Sequence, residues 1–236
     1  EWFLLGLIQM GVLYENGSGV GRDFVQARAW YDKAVALGDY QGENNIGVMY
    51  HNGLGVVQDY VQAADWYRRA AAHGNPTAEF NLFKLYSAGL GVPKDQAESR
   101  RHLSVAAEKG HAEAQFELGS FTENGNGTPI DARTAVDWYR KAAEQDWGPA
   151  QHNLAILLER GAPGVPEDPT EAFKWETKAA AKGIAYAEFG LASMYYHGCG
   201  TPRDLKQATA WLKRAAEDGY APANTKIKEI ENEAAH

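Results

Sequence analysis

The chain has 236 residues, of which 44% are hydrophobic and 23% are charged, proportions typical of a globular protein. Its 23 lysines and arginines against 31 aspartates and glutamates give a net charge of −8, which argues against nucleic acid or an anionic membrane as the main partner. Cys199 is the single cysteine, so no disulfide can form within the chain. The compartment stays open between the bacterial cytoplasm and a periplasmic or exported location. The apolar segment 2–14 is too short to cross a bilayer, so no membrane insertion is predicted.

Along the chain, a glycine turn returns at a fixed period. The turns are Gly17-Ser18-Gly19, Gly53-Leu54-Gly55, Gly89-Leu90-Gly91, Gly125-Asn126-Gly127, Gly161 to Gly164 with the extra residue Pro163, and Gly198-Cys199-Gly200. Their first glycines are separated by 36, 36, 36, 36 and 37 residues. A fixed period of this length indicates a solenoid of stacked supersecondary units.

The segment after each turn is predicted to be a helix, which we call helix B. It opens on an aspartate suited to accept from the free amides of a first helical turn, namely Asp23, Asp59, Asp95, Asp131, Asp168 or Asp204. Most of these segments end near a glycine suited to a left-handed cap, as at Gly38, Gly74, Gly110, Gly183 and Gly219. Their tryptophans, Trp30, Trp66, Trp138, Trp175 and Trp211, are predicted as core residues by their helical spacing.

The segment before each turn is predicted to be a first helix, helix A, in which small and apolar residues recur, as at Gly47 and Gly119. Small residues allow close approach between helices, and helices this short depend on packing against their neighbours. We therefore expect a single repeat solenoid over 1–236. Its repeats are expected at about 3–38, 39–74, 75–110, 111–146, 147–183 and 184–219, with a capping helix at 222–235.

These marks resemble the Sel-one-like repeat family, a relative of the tetratricopeptide repeats. The resemblance rests on Leu118-Gly119 in helix A, the Gly-x-Gly-Val turn, and Trp138-Tyr139 with Ala142-Ala143-Glu144 in helix B. It implies an all-α fold, a right-handed α/α superhelical solenoid of about six 36-residue helix-turn-helix repeats. It also implies a concave face lined by the A helices. Members of the family mostly act as adaptors, and some bacterial members neutralise secreted toxins.

If the tetratricopeptide geometry holds, the concave groove collects particular A-helix positions that together form an apolar and aromatic stripe with polar borders. Such a stripe suits a peptide or a partner helix. The alternative for the aromatic positions is packing between adjacent A helices. The predicted partner-binding residues are Asn44, Val48, His51, Asn52, Phe80, Lys84, Phe116, Ser120, Glu123, His152, Ile156, Arg160, Phe189, Ser193, Tyr196 and His197.

Two places depart from the repeat. Phe83 stands at a close-approach glycine position, and Leu103 replaces the tyrosine of helix B, which suggests that the two changes compensate each other in volume. Asp146 stands where other repeats have a glycine, and Trp147 follows it. Trp147 is either an extra partner contact or a residue that packs on the next repeat.

No pattern indicates chemistry. The Gly-x-Gly turns lack the context and the lysine of a phosphate loop, the histidines lack metal-ligand spacing, and Cys199 has no assignable base. We predict no catalytic residue, no metal and no cofactor.

The expected function is a non-enzymatic scaffold or adaptor that binds a protein or peptide, not nucleic acid, and a monomer is the expected state. The first alternative is an immunity or inhibitor protein against a secreted bacterial toxin. A hydrolase or β-lactam-binding protein ranks last, because the cysteine pairs of the family members with such claims are missing.

Overall fold

The computed structural model describes residues 2–127 and 129–234, and in these ranges the chain forms thirteen α-helices and no β-strand. The helices are α1 (Trp2–Asn16), α2 (Phe24–Ala36), α3 (Tyr40–Asn52), α4 (Tyr60–Ala72), α5 (Pro76–Ala88), α6 (Gln96–Glu108), α7 (Ala112–Asn124), α8 (Ala132–Glu144), α9 (Gly148–Arg160), α10 (Pro169–Ala180), α11 (Ala185–His197), α12 (Leu205–Glu217) and α13 (Ala221–Ala234). Odd numbers up to α11 are the A helices, and even numbers are the B helices. The predicted all-α repeat fold is confirmed. The helix predicted at 222–235 overlaps α13, and residue 235 lies outside the described residues.

The chain contains two compact units, Glu1–Ala114 and Gln115–His236. In the first unit, consecutive helices from α1 to α6 pack against each other, and Tyr31 and Tyr67 are among the largest fully buried side chains. In the second unit, α8 to α13 pack in the same consecutive manner around residues such as Tyr139 and Leu154. Within the described ranges, no helix is long and apolar enough to cross a bilayer.

The predicted caps explain where the B helices begin. All six aspartates accept hydrogen bonds from amides of the first turn, for example from Val25 N at 2.9 Å and Gln26 N at 3.0 Å to Asp23 Oδ1. The predicted left-handed glycines after the B helices also have positive φ, such as +90° at Gly74. Asp146 adopts the same conformation at φ 67°, and Lys182 Nζ lies 2.5 Å from its carboxylate.

The small residues of the A helices make room for the tyrosines of the B helices. A methyl group on Gly47 would lie 2.6 Å from the ring of Tyr67, and one on Gly119 would lie 2.8 Å from the ring of Tyr139. Real contacts are never this short, so glycine is the residue that lets the tyrosine reach the backbone of the A helix. The pairing of a small residue with a large ring is therefore a packing rule of the repeat.

The second glycine of the turn makes a different close approach, to the B helix of the preceding repeat. Gly91 has φ +67°, and a methyl group there would overlap the carbonyl group of Tyr60. The turn thus requires glycine both for its left-handed backbone and for contact with a neighbouring backbone.

The tryptophans of the B helices, predicted as core residues, are half-buried. Those that pack against the buried clusters are Trp30, Trp66, Trp175 and Trp211. In each of these five repeats, the basic side chain three residues later lies over the indole ring. The distances from the charged group to the ring centroid are 3.9 Å for Lys33–Trp30, 4.1 Å for Arg69–Trp66, 3.9 Å for Lys141–Trp138, 4.1 Å for Lys178–Trp175 and 4.5 Å for Arg214–Trp211. The outer face of each tryptophan is thus covered by a cation–π contact.

The third repeat inverts the packing rule, and this inversion gives a testable prediction. Phe83 is half-buried and stacks on Phe80 with ring centroids 5.4 Å apart, while Leu103 on the facing helix is fully buried. We expect Leu103→Tyr alone to destabilise the protein by about 1–3 kcal/mol through overpacking. Combined with Phe83→Gly, the same tyrosine should find the space that Tyr67 finds beside Gly47.

A double-mutant cycle in urea denaturation measures this coupling, which we expect to be at least about 1 kcal/mol. Additive losses in the two single variants would show that the two positions are independent.

Candidate functional site

Of the six predicted residues in the first unit, Asn44 and Phe80 are buried, Val48 and His51 are half-buried, and Asn52 and Lys84 are exposed. Phe80 is 2% exposed and stacks on His111 with ring centroids 4.6 Å apart. Asn44 is also buried, and its Oδ1 accepts a hydrogen bond from Asn81 Nδ2 at 3.1 Å. Lys84 is exposed and covers the ring of Phe80 at 4.3 Å. Of these three residues, only Lys84 is exposed to solvent, and it contacts the buried ring of Phe80.

Near the end of α3, the predicted residues make local contacts. Val48 packs against the core formed by α4, α5 and Val92, and Asn52 Nδ2 donates to the carbonyl of Val48 at 3.1 Å. The ring of His51 meets the ring of Tyr60 edge-on, with centroids 5.2 Å apart. Burial of the imidazole lowers the pKa of His51, so that its neutral form is favoured at neutral pH.

In the second unit, Glu123 is the centre of a hydrogen-bonded cluster. The Tyr139 hydroxyl donates to Glu123 at 2.8 Å, and Arg160 Nη2 donates to the other carboxylate oxygen at 2.9 Å. The ring of Phe116 lies 5.7 Å from that of Tyr139, and the Ser120 carbonyl accepts from Asn124 within α7. The side chains of Glu123, Arg160 and Phe116 are thus engaged in contacts within the second unit.

Four further predicted residues, His152, Ile156, Phe189 and Ser193, meet at one cavity of about 220 Å³ between α9, α10 and α11. The other lining residues are Ala155, Glu159, Glu176, Tyr186, Gly190, Met194 and Tyr220. A smaller recess of about 20 Å³ adjoins it and shares Phe189 and Ser193. This cavity is where the structure brings the predicted residues together most closely.

Glu176 lies deepest in the cavity, with 3% of its side chain exposed. His152 Nδ1 lies 2.9 Å and 3.0 Å from the two carboxylate oxygens. Burial raises the pKa of Glu176, the hydrogen bond from His152 opposes that rise, and the negative charge of Glu159 adds to it. Gly190 provides the space, because a methyl group there would overlap the Glu176 carboxylate.

Glu176 is not among the predicted residues, although the repeat contains the signal for it. In repeats one and four, the B-helix tyrosine donates to a carboxylate near the end of the A helix, as Tyr31 does to Glu15 at 2.6 Å. Repeat five keeps that carboxylate as Glu159 but has Glu176 where the tyrosine stands. Repeat five thus has a second carboxylate where other repeats have a tyrosine that donates a hydrogen bond. Such a replacement indicates that this position has a function other than packing. The rings of Tyr186 and Tyr220 were missed because Tyr186 lies in the first turn of α11 and Tyr220 lies just before α13, away from the positions predicted to face the groove.

Tyr196 and His197 lie beyond the cavity, at the end of α11. The Tyr196 hydroxyl donates to Glu233 at 2.5 Å, and Lys226 Nζ lies 4.2 Å from its ring centroid. The ring of His197 meets that of Tyr196 edge-on at 4.8 Å. Tyr196 is thus held by α13 and borders the smaller recess.

Trp147 is half-buried and packs against the core of the second unit, the second of the two roles considered for it. Its indole Nε1 is buried and has no hydrogen-bond partner in the described part of the chain. Its ring therefore serves the interior of the repeat.

The described residues include no group of three histidine, cysteine, aspartate or glutamate side chains arranged to hold a metal ion. Burial and the neighbouring Glu159 raise the pKa of the Cys199 thiol, which favours its protonated, unreactive form. The cavity offers the carboxylates of Glu159 and Glu176 beside the rings of Tyr186, Phe189 and Tyr220.

The model of one protein family, the Sel1 repeat, matches all six repeats. The matched residues are 4–39, 41–75, 76–111, 112–147, 148–184 and 185–220. The chain belongs to the Sel1 repeat family. The predicted resemblance to the Sel-one-like repeats is thereby confirmed. Sel1 repeat proteins generally mediate protein–protein interactions and are generally not enzymes.

Two solved structures show the same Sel1 repeat architecture. A Sel1 repeat protein from Oxalobacter formigenes is 32% identical, with a TM-score of 0.79, and the match covers 91% of this chain and 87% of that protein. A protective antigen of uropathogenic Escherichia coli that displays this repeat fold is 34% identical, with a TM-score of 0.58. That match covers 96% of this chain and 56% of the antigen.

Among curated proteins, a chitin synthase regulator of Malassezia restricta is 39% identical over 71 residues. The match covers 30% of this chain and 5% of the regulator, so the chain spans a small part of that relative's length.

Proposed function

We propose that this Sel1 repeat protein is a scaffold that binds a protein or peptide on the face formed by its A helices, without catalysing a reaction. The observation that carries the proposal is the cavity at which His152, Ile156, Phe189 and Ser193 meet. The repeat pattern predicts these four positions as partner contacts, and all four line the same cavity. A pocket that combines apolar walls with a few polar groups is typical of a recognition site.

The surroundings of the cavity support a binding role. Tyr186 is 38% exposed beside it, and aromatic side chains that are partly exposed are enriched at protein interfaces. The family relationship agrees with this role, and the fungal relatives are named as regulators of another protein, chitin synthase.

Partner capture followed by a variant of the cavity tests this proposal. Partners retained from the source lysate by the wild-type chain are identified and purified, and their affinity is then measured for the double variant Ile156→Ala, Phe189→Ala. We expect at least a tenfold loss of affinity, because two apolar walls of the cavity are removed, each worth about 1 kcal/mol or more. Ile130→Ala is the matched control, since Ile130 is 74% exposed and lies outside the cavity.

Thermal melts of all variants separate lost binding from lost folding. An unchanged affinity of the folded double variant would rule out this face as the binding site.

An inhibitor of a secreted toxin is the second candidate. The net charge of −8 favours it, because an acidic surface would attract a basic enzyme. Co-expression of the chain with a toxin encoded beside its gene should restore growth if the chain is an immunity protein. A general adaptor would give no rescue in that assay.

A further inference from the structure

Glu176 differs from the other buried glutamates in its counter-charge. Each of the other three is paired with a lysine or arginine of its own repeat. The pairs are Glu43–Arg69 at 3.1 Å, Glu79–Lys109 at 3.7 Å and Glu188–Arg214 at 3.1 Å. Glu176 is buried as deeply, and among the described residues its partner is the imidazole of His152. A buried carboxylate without a paired cation is costly, and among the described residues no lysine or arginine pairs with Glu176.

Glu159 adds a second carboxylate to the same cavity. The phenol that donates to the aligned carboxylate in repeat four, at 2.8 Å from Glu123, is absent here because Glu176 stands in its place. Even when His152 is protonated, two carboxylates face one positive charge. No lysine or arginine is found among the described residues that line the cavity, so its net charge is negative.

Aromatic rings form the walls around this charge. The rings of Phe189 and Tyr220 lie 5.1 Å apart, and those of His152 and Tyr186 lie 4.7 Å apart. The π-faces of aromatic rings attract cations, and this attraction grows when the site is partly desolvated. Elsewhere in this chain, lysine and arginine side chains do lie over aromatic rings, as Lys178 Nζ lies 4.1 Å from the ring centroid of Trp175.

We infer that the cavity between α9, α10 and α11 is a subsite for the positively charged end of a lysine or arginine side chain of the partner protein. This inference rests on the proposed function and names the chemistry that the partner must present. The cation would pair with Glu176 and Glu159 and lie against Phe189 and Tyr220. It would thus complete the ion pair that the other buried glutamates make within the chain.

Two small probes and their neutral counterpart test the subsite directly. Nα-acetyl-arginine amide and Nα-acetyl-lysine amide are titrated into the full chain at millimolar concentrations, and backbone amide resonances are followed by NMR. Nα-acetyl-citrulline amide has nearly the same shape as the arginine probe but carries no charge. We expect the two cationic probes to shift resonances of α9 to α11 and the citrulline probe to bind at least tenfold more weakly.

Three variants assign the binding to the carboxylate. Glu176→Gln keeps the shape of the side chain and removes its charge, and Gly190→Ala fills the space beside it. We expect each to weaken binding of the arginine probe by about tenfold or more. Glu171→Gln is the matched control, because Glu171 lies on the same helix and pairs with Arg140 outside the cavity.

Several results would overturn the subsite. These are equal binding of the arginine and citrulline probes, no binding of either cationic probe, or wild-type binding by the Glu176→Gln variant. A captured partner that binds Glu176→Gln as tightly as wild type, while the arginine probe still needs Glu176, would make the occupant a free small cation instead. Ile156→Ala, Phe189→Ala removes apolar walls and tests partner binding in general, whereas Glu176→Gln and the citrulline probe test the charge alone. A partner that needs Phe189 but not Glu176 would overturn the subsite and leave the proposed function standing.

Discussion

Replacing Gly91 with alanine should destabilise the first unit by about 3 kcal/mol, one of the two largest losses that we expect from a single substitution. Alanine in the left-handed conformation costs about 1–2 kcal/mol by itself. The remainder comes from the Tyr60 carbonyl, which a methyl group at residue 91 would overlap and which is backbone and therefore cannot turn away. Urea denaturation followed by circular dichroism measures the shift of the midpoint.

Gly19 supplies the control, since it occupies the same place in the first repeat, with φ +77°. A methyl group at Gly19 would meet no atom within 4 Å. Gly19→Ala should therefore lose only the conformational part, about 1–2 kcal/mol. Equal losses in the two variants would mean that contact between neighbouring repeats does not constrain Gly91.

Replacing Arg214 with methionine should destabilise the second unit by about 3 kcal/mol at neutral pH. Glu188 is fully buried, its carboxylate oxygens have no hydrogen-bond partner in the described part of the chain, and Arg214 Nη2 lies 3.1 Å from one of them. Removing one partner of a buried pair costs about 3–5 kcal/mol, and we expect the lower end because Arg214 is half-exposed. Methionine retains most of the packing on Trp211.

The loss should also depend on pH in a defined direction. Burial raises the pKa of Glu188, and the nearby Arg214 opposes that rise. A carboxyl group whose folded-state pKa is raised favours the folded state at low pH, and this contribution is lost as the pH rises through the folded pKa. Without Arg214 the pKa rises further. The difference in stability between variant and wild type should therefore shrink as the pH falls from about 7 towards about 5.

A second substitution separates charge from packing. Glu188→Gln added to Arg214→Met should recover about 2 kcal/mol and abolish this pH dependence. Lys213→Met, at an exposed position on the same helix, should cost less than about 0.5 kcal/mol. A double variant as unstable as Arg214→Met at neutral pH would show that the loss comes from packing on Trp211 instead.

Most of the fold could be predicted from the sequence because its determinants are local. Asp23 and its five counterparts accept from amides two or three residues ahead, and this geometry depends on no other part of the chain. The tyrosine and glycine rule was also visible, since Gly47 and Tyr67 recur in phase. Helical spacing predicts on which face of the helix a tryptophan lies. It does not predict that a lysine or arginine side chain covers the outer side of the ring.

The binding face was harder to predict, because residues at the same repeat position have different neighbours. Phe80 and Phe189 are equivalent in the repeat, yet Phe80 is covered by His111 and Phe83, whereas Phe189 lines the cavity. Periodicity cannot distinguish them, since the difference lies in the residues across the helix interface. Glu176 could have been found, because it stands where Tyr139 stands one repeat earlier.

The replacement of that tyrosine by Glu176 also has a consequence for engineering. Averaging the six repeats towards a common sequence would place tyrosine at residue 176 and a larger residue at Gly190. A consensus version of this chain should therefore unfold at a higher temperature, as designed repeat arrays tend to do. Its fifth repeat would then be filled like the others, so the more stable protein would have lost the cavity that holds Glu159 and Glu176. Stability and recognition thus make opposite demands on a single position of the repeat.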